Sequence, residues 1–288
     1  MNVSIFGGGW LGQPLATTLS VKKSKTPHST KRQNCYHVRV TARSEQSIIN
    51  LTEHGLNAYP FFLGESLLTH KDRAELLNND VVIINIPPGR RHLADNPQAS
   101  QQFVADMCML ITQVSINQSA KLIFISTSAV YSDALEDVTE QSEVAPITES
   151  GRAHQAIEAF IQQNLKPSAC ILRLAGLVGP ARHPGKFLAG RQHLSGASQV
   201  VNLIHQQDVI SAIEKIIIGH VWGETLHLAA QAHPSRQEYY TWAANKLGLP
   251  APHFVSEPEP KLGKRIDARY SLQRLSLTLA YPSPYDML

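Results

Sequence analysis

Two stretches of this chain combine residue types whose spacing can do chemistry. Gly7-Gly8-Gly9-Trp10-Leu11-Gly12 fits G-x-G-x-x-G, directly after the strand-like Val3-Ser4-Ile5-Phe6 and at the opening of a helical stripe. In that setting Gly7 permits a tight turn, Gly9 lets the backbone approach a pyrophosphate, and Gly12 allows close packing of helix on strand. The helix N-terminus adds unpaired N–H groups and positive potential, so Gly7, Gly9, Trp10, Leu11 and Gly12 are the candidate dinucleotide loop. The competing reading is a glycine-rich turn without a ligand. Ser150, His154 and Glu158 recur at i, i+4, which sets a hydroxyl, an imidazole and a carboxylate along one helix face. A histidine titrating near ~6.5 could serve there as general acid or base. Equally, Ser150 reads as the N-cap of a helix whose apolar periodicity begins at Ala153, with His154 a partly exposed helical histidine.

These groups need a scaffold, and apolar periodicity supplies one. Leu11, Leu15 and Leu19 give the first helix a stripe, with Pro14 tolerable in its first turn. Val38 to Ala42 reads as a second strand, and Val81 to Ile86 as a strand buried on both faces, ended by Pro87-Pro88-Gly89. A helix carrying Phe103, Met107, Leu110, Ile111 and Val114 follows, then a strand from Lys121 to Ile125, a helix with Ala153, Ile157, Phe160 and Ile161, and a strand from Ala169 to Leu174. Strands alternating with helices predict an α/β fold, a doubly wound parallel sheet of Rossmann type. Beyond Gly179 proline and glycine become frequent, with helices at Asp208 to Ile217 and Gln237 to Leu247. The expected division is a dinucleotide-binding domain over 1–178, joined by 201–230, and a small substrate-binding lobe from 179–200 and 231–288. Val21 to Asn34 reads as an exposed loop insertion.

Composition excludes several classes. The 288 residues are 43% hydrophobic with net charge +3, which describes a chain with a real core rather than a disordered one. No aliphatic run approaches the ~18 residues of a membrane helix, and no leader-like segment precedes Val3, so neither membrane insertion nor secretion by a cleaved signal is expected. Cys35, Cys108 and Cys170 lack C-x-x-C spacing, and no histidine pair has zinc-site spacing, so neither a disulfide framework nor a metal is expected and the chain is assigned to the cytoplasm. From Met1 to Ser44 no acidic residue occurs, which favours an anion near the N-terminus. The basic residues Lys22, Lys23, Lys25, Lys31, Arg32, Arg39 and Arg43 have only Tyr36 among them as an aromatic, so nucleic acid is not the expected partner. The second strand ends Thr41-Ala42-Arg43-Ser44, with no carboxylate to accept ribose hydroxyls and with Arg43 able to fork onto a phosphate; NADP is favoured, with NAD the alternative.

The glycine loop together with Ser126-Thr127-Ser128-Ala129-Val130-Tyr131 resembles the extended short-chain dehydrogenase/reductases, the NAD-dependent epimerase/dehydratase family, and an atypical bacterial subgroup of it. The resemblance spans the chain. Leu172-Arg173-Leu174-Ala175-Gly176-Leu177-Val178-Gly179-Pro180 is similar to a family segment, and Asn202-Leu203-Ile204-His205 with Asp208 is similar to its later histidine–aspartate signature. The resemblance implies that Thr127 helps polarise the substrate, that Tyr131 and Ser128 line the pocket, and that Ile86, Pro87, Leu174, Ala175 and Ser44 join Arg43 around the cofactor. Aligned with the family's Y-x-x-x-K pair, Ser150 stands at the tyrosine and His154 at the lysine, so both are replaced. Tyr131 could then donate the proton instead. Arg182, His183, Lys186 and Arg191, with His205, are the candidate contacts for an anionic substrate, a nucleotide-sugar by resemblance; a solvated basic loop is the competing reading. A homodimer is a family-level expectation. Three functions follow: an NADP-dependent oxidoreductase or epimerase acting on a small hydroxyl or carbonyl compound, a non-catalytic dinucleotide sensor, or a protein-binding scaffold.

Overall fold

The computed structural model describes residues 1–20, 36–89, 96–116, 119–134, 136–259 and 261–287, and the expected insertion from Val21 to Asn34 lies outside them. Strands β1 (Asn2–Phe6), β2 (His37–Ala42), β3 (Asn57–Pro60), β4 (Val81–Ile84), β5 (Lys121–Thr127), β7 (Ala169–Leu174) and β10 (Glu224–Leu228) form a seven-stranded sheet in the order β10-β7-β5-β4-β1-β2-β3. It is the parallel, Rossmann-like sheet expected from strand–helix alternation. The order reverses at β1, so the carboxyl end of β1 lies where such sheets take ligands. Strands β3 and β10 were not legible in the sequence. Asn57-Ala58-Tyr59-Pro60 has no apolar run, and its Pro60 is tolerated because β3 is the edge strand.

Helices α1 (Gly12–Ser20), α2 (Glu45–Glu53), α3 (Arg73–Leu77), α4 (Pro97–Val114) and α5 (Glu149–Leu165) follow their strands. The apolar stripe read for α4 is the one that is buried: Met107, Leu110, Ile111 and Val114 pack with Phe6, Val82, Ile84, Phe124, Ile157 and Ile161 in one core cluster.

The chain divides into two compact units. The first holds Met1–Ser126, Thr148–Ile171 and Ile216–Glu224, and hence the glycine loop and α5. The second holds Thr127–Ile147, Leu172–Lys215 and Thr225–Leu288. It contains two small parallel pairs, β6 (Asp137–Val138) with β11 (Arg265–Ile266) and β8 (Gly176–Val178) with β9 (Leu203–His205). It also contains most of α6 (Gln206–Ile218), together with α7 (Arg236–Lys246) and α8 (Arg269–Arg274). A second apolar cluster of Val178, Val201, Leu203, Ala230, Tyr239, Ala243 and Met287 sits there.

Candidate functional site

The first unit builds the loop between β1 and α1 from contacts that tolerate almost nothing at two glycines and anything at a third. Gly7 has φ of +110°, and a Cβ on it would lie 2.2 Å from the Asn85 carbonyl oxygen. A Cβ on Gly12 would lie 2.0 Å from the Gly7 carbonyl oxygen, which is the close helix–strand approach expected of this position. Around Gly9 no atom of the described residues lies within 4 Å of the same construction, so among them the loop faces open space where a phosphate would sit. Neighbouring groups hold the loop in shape: Gly8 N donates to the Thr41 carbonyl at 2.7 Å, Gly7 N to Thr41 Oγ1 at 3.2 Å, and Asn85 Nδ2 to the Gly7 carbonyl at 3.2 Å. Thr41 and Asn85 were missed in the sequence. The signal for Asn85 was there, an amide closing the run Val81-Val82-Ile83-Ile84.

Arg43 follows the last residue of β2, is exposed, and makes no ion pair among the described residues, whereas Ser44 is the N-cap of α2 and accepts from Ser47 N. Trp10 is half-buried and Leu11 buried, with Leu11 beginning the α1 stripe. Ile86 packs against the core cluster and Pro87 is exposed, both just past the end of β4.

On α5 two expectations are corrected. The N-cap is Thr148, whose side chain accepts from Gly151 N in extended backbone geometry; Ser150 is already inside the helix. His154 is buried at 6% exposure, not partly exposed. The reason is geometric. Phe124 and Ser126 stand two residues apart on one face of β5, and His154 and Glu158 stand one turn apart on α5, so the two spacings match. The Phe124 and His154 rings are 6.0 Å apart, and Ser126 Oγ donates to Glu158 at 2.5 Å. His154 Nδ1 lies 2.7 Å from the Ser150 carbonyl, which can only accept. The ring therefore carries a proton on Nδ1.

The second unit carries Thr127, Ser128 and Tyr131 on the turn that leaves β5. Thr127 Oγ1 accepts from Ala129 N at 3.2 Å, and Tyr131 N donates to the Ser128 carbonyl at 3.2 Å. Thr127 and Ser128 are half-buried. Tyr131 is 0% exposed, which corrects the expectation that it lines a pocket. Leu174 and Ala175 lie at and just past the end of β7, both buried, with Ala175 N donating to the Leu228 carbonyl.

Gly179 and Arg182 exchange backbone hydrogen bonds around Pro180 and Ala181, and Ala181 takes φ of +60°, a turn position that normally favours glycine. This tight turn presents Arg182, and a short 3-10 helix at Pro184–Lys186 follows; Arg182, Lys186 and Arg191 are exposed. His183 caps that short helix by accepting from Gly185 N at 3.0 Å, and its Nε2 is buried without a hydrogen-bond partner among the described residues. Two further basic residues are already committed, Lys264 to Asp133 and Arg265 to Asp137. The histidine–aspartate signature proves to be a clamp on the chain's last stretch. Asn202 grips Lys264 O and Ile266 N, the His205 ring stacks on Tyr281 at 3.7 Å, and the Asp208 carboxylate accepts Ala280 N at 2.7 Å and Tyr281 N at 3.1 Å.

Asp208 is 1% exposed, so Asp208→Ala removes a buried acceptor that holds the Ala280 and Tyr281 N–H groups and is expected to destabilise the protein by about 1–2 kcal/mol in urea unfolding. Burial lowers the pKa of His183, with Lys186 adding to it, and lowers those of His205 and His233 below the usual 6.5. Because the unfolded chain then binds more protons than the folded one, stability is full above about pH 6.5 and falls as pH drops below it. Asp208 works in the opposite sense: burial raises its pKa, so its contribution grows as pH falls. With three histidines against one carboxylate, the melting temperature is expected to decrease from pH 7.5 to 5.5.

Comparison with known proteins decides what this arrangement belongs to. A profile of the NAD dependent epimerase/dehydratase family matches residues 5–217. This chain belongs to that family. It is 32% identical to protein YeeZ of Escherichia coli strain K12 over 288 residues, covering 99% of this chain and 98% of the relative. In fold it is similar to the UDP-glucuronic acid 4-epimerase of Bacillus cereus, solved with NAD and UDP-4-deoxy-4-fluoro-glucuronic acid, at TM-score 0.75 and 19% identity, with 100% of this chain and 96% of that one covered. The dTDP-glucose 4,6-dehydratase of Bacillus anthracis strain Ames, solved with NAD, gives TM-score 0.73 at 16% identity, covering 100% and 93%.

Proposed function

We propose that this chain is an NADP-preferring oxidoreductase or epimerase acting on a hydroxyl or carbonyl carbon of a small anionic compound, with nucleotide-sugars the first class to test. The observation that carries it is the glycine loop: no room at Gly7 and Gly12, open space at Gly9, on the first strand of a parallel sheet. That is the geometry a pyrophosphate needs, and a turn without a ligand has no reason to keep Gly9 bare. The bound nicotinamide would supply the hydride acceptor and donor. The chain supplies the rest. Loop N–H groups and the α1 N-terminus hold the pyrophosphate, Arg43 pairs with a 2'-phosphate, and Ile86 and Pro87 flank the cofactor. Thr127 polarises the substrate oxygen, Arg182, Lys186 and Arg191 attract its anion, and His154 takes or returns a proton. The family neighbours described with nucleotide-sugars support the substrate class.

Arg43→Ala is expected to erase the preference: calorimetric titration should show NADPH binding about tenfold weaker and NADH binding unchanged, since a charge-assisted fork contributes ~1.5–3 kcal/mol. Equal losses for both cofactors would contradict the assignment. One observation favours a second reading, a dinucleotide sensor without turnover. Ser150 replaces the expected phenol and Tyr131 is fully buried, so neither position offers a phenol to solvent. Incubation of the protein with NADP+ and a panel of nucleotide-sugars, whose hydroxyl carbons need an oxidised nicotinamide as hydride acceptor, comparing wild type with His154→Ala, separates the two. Turnover that depends on His154 supports the enzyme, and tight binding with no turnover supports the sensor.

A further inference from the structure

The second unit buries a polar cluster that no step above uses. Tyr131 and His227 are 0% exposed and Arg173 is 3% exposed. Arg173 Nη1 donates to Tyr131 Oη, with the guanidinium carbon 5.0 Å from the ring centroid. Tyr131 Oη lies 2.6 Å from His227 Nε2 and 3.3 Å from the Thr139 carbonyl oxygen. On the other side of the imidazole, Nδ1 lies 3.1 Å from the Asp267 carbonyl oxygen and 3.9 Å from the Glu140 carboxylate. The His227 backbone N donates to Ser271 Oγ at 2.7 Å, and that hydroxyl donates to Glu140.

Counting protons assigns the roles. A guanidinium only donates, so Arg173 occupies a lone pair of the phenol oxygen. A carbonyl only accepts, so His227 Nδ1 must carry hydrogen to bond Asp267. The neutral ring then turns its Nε2 lone pair to Tyr131, and the single phenol proton goes to that contact rather than to the longer one at Thr139. A doubly protonated ring would put a second buried cation beside Arg173, which is costly away from water. Tyr131 therefore has no proton to lend to a substrate.

We infer that His227 is a positioning residue: by fixing the Tyr131 hydroxyl it anchors the turn that carries Thr127 and Ser128. The far end of that turn is held as well, since Lys264 Nζ donates to the Tyr131 carbonyl at 2.7 Å. The functional meaning rests on Thr127 being the group that meets the substrate, as proposed above. The geometry also explains why a histidine suits this place in β10: it is a rigid ring that accepts on one edge and donates on the other. Nothing in the strand sequence Glu224-Thr225-Leu226-His227-Leu228 signals it, because its partner is 96 residues away.

The test uses the full chain without cofactor. In protein carrying 15N-labelled histidine at pH 7.5, the ring assigned through its loss in His227→Gln should show a protonated Nδ1 and a bare Nε2. Amide hydrogen exchange at Ala129 and Tyr131 should quicken about tenfold or more in Tyr131→Phe and in His227→Ala, with the double variant no faster than either. His227→Gln, which keeps an acceptor for the phenol, should restore most of the protection. A bare Nδ1, a doubly protonated ring, or wild-type exchange in Tyr131→Phe would overturn the inference. The ring signals come from the wild-type chain and need only His227→Gln for their assignment, so they decide the protonation state even if His227→Ala or Tyr131→Phe failed to fold. A chain that bound no dinucleotide would defeat the proposed function and leave this result intact.

Discussion

Gly9→Asp should leave the protein folded and abolish dinucleotide binding. A Cβ at this position meets no atom of the described residues within 4 Å, and Gly9 is exposed, so the change in stability should stay within about 0.5 kcal/mol, as for an ordinary surface substitution. The carboxylate would, however, occupy the space left for a pyrophosphate. Like charges brought together at a binding surface cost several kcal/mol, so affinity for NADPH should fall by about a hundredfold or more. Circular dichroism melting and calorimetric titration on the same preparation check both halves. If Gly9→Asp bound NADPH as the wild type does, the loop would be only a turn.

Gly12→Ala should do the reverse. Its Cβ would lie 2.0 Å from the Gly7 carbonyl oxygen, and the atom it meets is backbone, which cannot swing aside. Either α1 moves off β1 or the turn opens. Overpacking of this kind costs about 3 kcal/mol or more, and it would disturb Leu15 and Leu19, which are buried on α1. Urea unfolding should show a clearly lowered midpoint, with binding lost as a consequence of the distorted loop. Comparing the two variants separates a glycine needed for the fold from a glycine needed for the ligand, although both belong to one motif.

That contrast also shows which parts of the molecule can be read in the sequence. The sheet was legible because Val81-Val82-Ile83-Ile84 is apolar on both faces, and the α4 stripe because its period is helical. The glycine loop was legible because G-x-G-x-x-G between a strand and a helix is a local pattern, although the crowding at Gly7 comes from Asn85, 78 residues away. Where contacts come from distant chain, legibility ended. The i, i+4 spacing correctly placed His154 and Glu158 on one face of α5. Only the position of Phe124 and Ser126 in β5 shows that this face is buried. Tyr131 looked available as a proton donor until Arg173 and His227, 42 and 96 residues further on, were seen to hold its hydroxyl. His205 and Asp208 have the residue types of a reactive pair, yet their partners are Tyr281 and the backbone of Ala280 and Tyr281, near the end of the described chain. In each case the residue types were informative about what a side chain could do, and the tertiary contacts decided what it does.

The central claim is that the loop after β1 holds a pyridine dinucleotide. Titration of the cofactor-free wild-type protein with NADPH, followed by the fluorescence of the reduced nicotinamide, tests it most directly. The account predicts saturable binding well below about millimolar, the weak end of the affinity scale, and weaker binding of NADH. No saturation with either cofactor up to about millimolar concentration would contradict it.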